Sequence, residues 1–181
     1  RKVLLVEHSK KIGEKIRISG GGRCNFTNLN TNPNKFISEN PNFVISALNQ
    51  YTQRDFIELI KSHKIDFHEK KFGQLFCNNS SQDIIKMLLD ECDLANVILQ
   101  LETHIKAVEA SGSGYKVSVK AIDAVKAIEC ESLVIATGGL SIPKIGASRF
   151  GYDIAQQFGL KVTSLKPALV PLTFHSEFLN F

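Results

Sequence analysis

Two short, uninterrupted apolar runs stand out from the pattern of hydrophobic and polar positions: Val3-Leu4-Leu5-Val6 and Leu133-Val134-Ile135-Ala136. Runs of this length without polar alternation are expected of strands buried on both faces of a parallel sheet. The first ends in Glu7 and the second runs into Thr137-Gly138-Gly139. Between them the period changes. Phe43–Gln50 and Arg54–His63 carry apolar residues at mixed i, i+3, i+4 spacing and predict two short helices, and Ser80 or Ser81 is placed to cap a third helix running to about Asn96. Ile65–Glu69, Lys71–Cys77 and Val97–Leu101 predict strands. Glu102–Ala110, Gly114–Ala121 and Ala124–Glu129 predict a β-meander whose first turn is Ser111-Gly112-Ser113-Gly114. Gly151–Phe158 predicts a helix stopped by Gly159, Lys161–Thr163 a further strand, and Ala168-Leu169-Val170 an extended stretch between Pro167 and Pro171. The fold class is therefore α/β.

Composition changes this picture little. The 181 residues are 43% hydrophobic and 22% charged, as in a globular chain, and the net charge of +4 is mild. It suits an anionic ligand without arguing for nucleic acid by itself. No apolar run approaches the roughly 18 residues of a membrane span. The four cysteines are widely spaced, and neither they nor His63 and His68 fall at metal-ligand spacing. Reduced thiols in a cytoplasmic protein is the simplest reading.

The candidate chemistry gathers in Ser19-Gly20-Gly21-Gly22-Arg23-Cys24-Asn25-Phe26-Thr27-Asn28. Three glycines free the backbone for turns closed to other residues and let a ligand approach the peptide N–H groups. Arg23 adds a fork suited to phosphate. The same stretch also reads as a flexible surface loop with one solvated Arg. Glu7, at the end of a parallel strand, stands where dinucleotide-binding folds hold the ribose hydroxyls, about 20 residues after a Gly-x-Gly-x-x-Gly loop. That loop would lie ahead of Arg1. Gly20-x-Gly22-x-x-Asn25 follows the acidic residue and so is not that loop. Glu7 reads equally as an ordinary strand-end carboxylate. Lys10, Lys11, Lys15 and Arg17 either help hold phosphates or form a solvated connection.

Ile18–Asn28, Gly73-Gln-Leu-Phe-Cys77, Ala136-Thr-Gly-Gly-Leu-Ser-Ile-Pro143, Gly151-Tyr-Asp-Ile-Ala155 and Pro167-Ala-Leu-Val-Pro-Leu172 together resemble the BaiN/YhiN-like (aminoacetone-oxidase-type) family of FAD-dependent oxidoreductases. The resemblance runs nearly end to end. It implies part of a Rossmann-like FAD-binding fold of the two-dinucleotide-binding-domain kind, without its first βα unit and its C-terminal half. Residues 1–166 would be a partial FAD-binding domain, and 167–181 the start of a connection to an inserted domain. The chain would be a central fragment of a protein roughly twice its length, inactive or weakly binding alone.

The resemblance implies FAD as cofactor. Glu7 would bind the adenosine ribose, and the backbone at Ile105 would meet the adenine edge. Gly21, Gly22, Arg23, Cys24 and Asn25 would lie against the pyrophosphate and flavin side, with Thr137, Gly138 and Gly139 as a second nucleotide-contacting turn. The expected function is a cytoplasmic flavoprotein oxidoreductase acting on a small-molecule substrate, with NAD(P)H a candidate electron donor, no membrane association and no assigned catalytic residue. Cys24 reads as a redox partner of the flavin or, more simply, as a packing residue. The alternative is a non-catalytic nucleotide- or RNA-binding module resting on Lys10, Lys11, Lys15, Arg17 and Arg23. Against it, aromatics do not interleave with these basic residues as a single-strand platform needs.

Overall fold

The computed structural model describes residues 1–121, 124–142 and 146–167. Pro143 and the extended Ala168-Leu169-Val170 stretch expected near the C-terminal end lie outside these residues.

Strand β1 (Leu4–Val6) and β5 (Ile98–Gln100) form a parallel pair in the register Leu4–Ile98, Leu5–Leu99, Val6–Gln100. The connection between them contains the glycine loop and most of the helices. Helix α1 (Glu14–Ile18) starts at Gly13, whose φ of +73° is left-handed. A Cβ on Gly13 would stand 3.0 Å from the Ile85 side chain, so close packing of α1 on α4 (Ser81–Leu94) depends on that glycine. The Ser81 hydroxyl donates to the Arg17 carbonyl at 2.9 Å, which satisfies one of the orphan carbonyls at the end of α1.

Ser19–Gly22 form a 3-10 turn leading into β2 (Asn25–Asn28). Helices α2 (Ile45–Gln50) and α3 (Gln53–Ser62) follow, then β3 (Phe67–Glu69) and β4 (Gln74–Cys77). These three strands make an antiparallel sheet of order β2-β4-β3. Helix α3 opens on a capping box, with Thr52 and Asp55 satisfying each other's backbone N–H groups. Helix α4 is capped by Ser80, whose hydroxyl accepts from Gln82 N at 3.1 Å. Cys24, Ile60, Cys77, Ile84 and Met87 are buried together, with Phe26, Phe56 and Phe67 packed around them.

The meander is β6 (His104–Ser111), β7 (Gly114–Lys120) and β8 (Val125–Cys130), turning at Gly112 as expected. Its own small core joins Val108, Val117 and Val119 to Ile154 of α5 (Phe150–Gln157). Gln157 ties the helix to the sheet by donating to the Val108 carbonyl at 2.6 Å.

Three expectations are corrected. Val3–Val6 contains a parallel strand, but it is not buried on both faces: Val3, Leu4 and Leu5 are exposed, and the described sheet has only two strands there. Leu133–Ala136 forms no strand. No neighbouring strand offers a ladder to it among the described residues, and Val134 is 83% exposed. Lys161–Thr163 is likewise irregular. Among the described residues, no helix is long and apolar enough to cross a membrane.

Candidate functional site

The end of β1 is fastened before any ligand is considered. Glu7 N donates to the Gln100 carbonyl at 2.9 Å, Thr103 N donates to the Glu7 carbonyl at 3.1 Å, and Glu102 N donates to the Ser9 carbonyl at 3.2 Å. The Glu7 carboxylate turns back onto its own loop. Its Oε1 accepts from Ser9 N at 2.8 Å and lies 3.1 Å from His8 Nδ1.

Beside this strand end is a cleft of about 260 Å³. It is lined by Glu7 and His8, by Gly13 and Lys15 at the start of α1, and by Thr137 and Gly139 across from them. Two of the three features expected to meet, the acidic strand end and the Thr137–Gly139 turn, are therefore neighbours. The turn needs its glycines for different reasons. Gly138 has φ of +71° and open space around it, whereas a Cβ on Gly139 would come within 2.7 Å of the Tyr152 hydroxyl. His8 packs against the other wall, where a Cβ on Gly146 would sit 2.5 Å from its Nε2. A slightly larger hollow, about 270 Å³, lies between α3 and α4 by His63 and Asp66. It holds no glycine turn and no sequence-predicted site residue, so the cleft at Glu7 is the better candidate.

The glycine loop is not part of the lining of that cleft. Gly20, Gly21 and Gly22 all have left-handed φ, of +58°, +66° and +87°. Gly20 is fixed by packing: a Cβ there would meet the Phe76 ring at 2.7 Å and Asn25 N at 2.8 Å. Gly21 and Gly22 have no neighbour within 4 Å of a Cβ position, so their backbone faces open space, as a ligand-approach site requires. Arg23 and Asn25 are exposed beside them.

Cys24 points the other way. It is buried in the core against Cys77, a packing partner that the sequence did not disclose. Burial, reinforced by Cys24, pushes the Cys77 thiol up to about 12, so it stays protonated. Of the basic stretch, Arg17 is turned inward: its Nη2 donates to the Ile12 carbonyl at 3.1 Å and its Nε lies 3.5 Å from Glu14 Oε1. Lys10, Lys11 and Lys15 remain exposed.

Ile105 lies on β6, paired with Val119, immediately before a register shift that leaves Lys106 without an opposite residue. Such bulges re-aim backbone groups near binding sites. The preceding His104 ring is 5.9 Å from that of His8, so the start of β6 adjoins the Glu7 cleft. No group of three or more His, Cys, Asp or Glu side chains among the described residues is arranged to hold a metal.

A glycine-rich turn and an acidic strand end facing one another at the edge of a parallel pair fit a Rossmann-type nucleotide site, and the sequence matches the HI0933-like protein Rossmann domain over residues 1–168. The chain belongs to the HI0933-like family. The chain is 49% identical over 180 residues to the ribosomal RNA dihydrouridine synthase of Escherichia coli, covering 99% of this chain and 44% of that protein. It is 44% identical over 175 residues to the protein of the same name from Haemophilus influenzae, covering 96% and 43%. A 3-dehydro-bile acid delta(4,6)-reductase of Clostridium scindens is 24% identical over 171 residues, covering 94% and 41%. The chain thus spans less than half the length of the curated relatives it matches. A crystal structure of a flavoprotein/dehydrogenase from Cytophaga hutchinsonii matches 92% of this chain and 38% of its own at 16% identity, with a TM-score of 0.46.

Proposed function

We propose that this chain is the FAD-binding part of a flavoprotein oxidoreductase that reduces uridine in ribosomal RNA. The observation that carries the flavin half of this reading is the cleft joining Glu7 to Thr137 and Gly139. Its chemistry fits a dinucleotide. A carboxylate at a strand end can accept ribose hydroxyls, and a turn with bare glycine backbone admits a phosphate at hydrogen-bonding distance. Gly21, Gly22 and Arg23 offer a second stretch of open backbone and a guanidinium for the pyrophosphate and flavin side. When bound, FAD would supply hydride transfer, while the residues of this chain bind and orient it. The finer assignment to the BaiN/YhiN-like group rests on the Ser19–Asn25 and Ala136–Pro143 blocks.

The RNA half is carried by the two relatives above 40% identity, both named for ribosomal RNA dihydrouridine synthesis. Converting uridine to dihydrouridine adds a hydride and a proton to one ring double bond, a reaction within reach of a reduced flavin, with NAD(P)H a suitable donor. Work on ribosomal RNA would place the protein in the cytoplasm. This reading moves nucleic acid ahead of the small-molecule substrate expected from the sequence. The small-molecule reading keeps one support, the bile-acid reductase at 24% identity.

Two measurements on the full-length protein test the proposal. Purified protein should be yellow and release FAD on denaturation, and ribosomal RNA from cells lacking the gene should lose dihydrouridine. A colourless protein that FAD does not perturb would sink the flavin reading and leave a non-catalytic binding module. A yellow protein with unchanged ribosomal RNA would return the small-molecule substrate to first place.

A further inference from the structure

The hairpin between β3 and β4 presents a large aromatic ring to solvent and holds it there. Phe72 is 82% exposed, with a left-handed φ of +56°. A bulky residue in that region is strained and persists only where its surroundings impose it. They do so here. The Asn28 and Asn30 side-chain amides both donate to the Phe72 carbonyl, at 3.0 and 3.3 Å. Gly73 N donates to Glu69 Oε1 at 3.0 Å, and Leu29 N donates to the Gly73 carbonyl at 2.8 Å. The clamp is tight enough that a Cβ on Gly73 would lie 2.7 Å from both the Asn28 and the Asn30 side chains.

An exposed apolar ring held in a strained conformation by a dedicated set of amides contributes nothing to the described core. Two exposed lysines precede it in the hairpin: Lys71, next to Phe72 in the chain, and Lys70, whose Nζ lies 5.2 Å from the centroid of the Phe76 ring. An exposed ring on a hairpin that also carries exposed cations is the pairing that captures an unstacked base and its phosphates. The position suits the reaction as well. Strand β2 runs from the glycine loop to Asn28, whose side chain holds the Phe72 carbonyl, so the hairpin tip and that loop stand at opposite ends of one strand.

We infer that the Phe72 hairpin, with Lys70 and Lys71, is a docking platform for a single-stranded loop of RNA, on which one base stacks. This inference rests on the ribosomal RNA reading of the proposed function. Charge decides in favour of RNA over an apolar protein segment: the exposed Lys71 and Lys70 on the same hairpin complement phosphates.

The test uses the full-length protein and end-labelled, protein-free bacterial ribosomal RNA, read by fluorescence anisotropy across a salt series, with flavin absorbance as a control. Phe72→Ala should weaken binding on the order of tenfold, Phe72→Tyr should leave it near wild type, and Lys71→Ala should lower the salt slope by about one. Flavin content should not change in any of them. If wild type binds and Phe72→Ala binds equally well, the platform is overturned while the RNA reading stands. A Phe72→Ala protein that melts earlier yet keeps its RNA affinity overturns it too, showing a ring covered by another part of the protein. If wild type binds no ribosomal RNA, both readings fall together.

Discussion

Cys24 and Cys77 sit side by side in the core formed by the β2-β4-β3 sheet, α3 and α4, although 53 positions separate them in the chain. Their burial has two readable consequences. The first is chemical: in the folded protein Cys24 and Cys77 should resist alkylation, while the part-exposed Cys92 and Cys130 react. Mass spectrometry after a short iodoacetamide pulse should find two modified thiols, and modification at Cys24 or Cys77 would contradict the packing.

The second consequence is a pH dependence. Burial, and then the neighbouring Cys24, raise Cys77 from an ordinary value of 9.0 to about 12. Above pH 9 the unfolded chain gives up this proton and the folded chain keeps it, so the contribution to stability is full below about 9 and is lost as pH rises towards 12. Denaturation midpoints should fall across that window, and Cys77→Ala should fall less steeply. Parallel slopes would count against it.

Neighbouring glycines of the loop should behave differently. Gly20→Ala forces a Cβ against Phe76 and into a left-handed backbone, and should destabilise the protein by more than about 1 kcal/mol. Gly21→Ala meets no atom and carries only the backbone strain, of about 1 kcal/mol. If this loop contacts the cofactor, Gly21→Ala should lower flavin retention out of proportion to its effect on melting. Retention that tracks stability in both variants would remove the loop from the site.

Glu7→Gln keeps an acceptor for Ser9 N and removes the charge. The expected outcome is a loss of FAD affinity on the order of tenfold, with melting of the apo-protein nearly unchanged. Calorimetric titration of the full-length protein measures both, and unchanged affinity would return Glu7 to the role of an ordinary strand-end carboxylate.

Thr52 caps α3 by accepting from Asp55 N. Thr52→Ala should therefore cost about 1 kcal/mol in chemical denaturation. The hydrogen bonds from Thr52 also hold Asp55 below the usual carboxylate value of 3.8, so this interaction is present above that pH and fades as pH drops beneath it.

What the sequence made legible was local. Ser80 as a cap, Gly112 as a turn and Gly159 as a stop each act through their own backbone, so their residue types announce them. The missed features depend on partners distant in the chain. Leu133–Ala136 has the composition of a buried strand, yet a strand exists only where a neighbour supplies its hydrogen bonds. His63 has no partner at metal-ligand spacing in the chain, and the structure gives it Glu91 on α4 at 2.6 Å, 28 residues away. The site was half legible: Glu7 and Thr137–Gly139 meet in one cleft, while Cys24, adjacent to the open glycines, turns into the core. Cys24 lies just ahead of β2 with a left-handed φ of +50°, a turn that its residue type does not announce. Phe72 falls inside the Lys71–Cys77 stretch that predicts a strand, whereas β4 begins only at Gln74 and Phe72 takes a left-handed turn before it.

The hydrogen bonds from Gln100 through Glu7 to Thr103, and from Ser9 to Glu102, continue past the ends of both parallel strands. They stitch the floor of the Glu7 cleft to the first strand of the meander, where His104 meets His8. The amides of Glu7, Glu102 and Thr103 should consequently open as one cooperative unit in deuterium exchange. A nucleotide settling against Glu7 would slow all three together, and the slowing would extend along β6 beyond the residues beside the cleft.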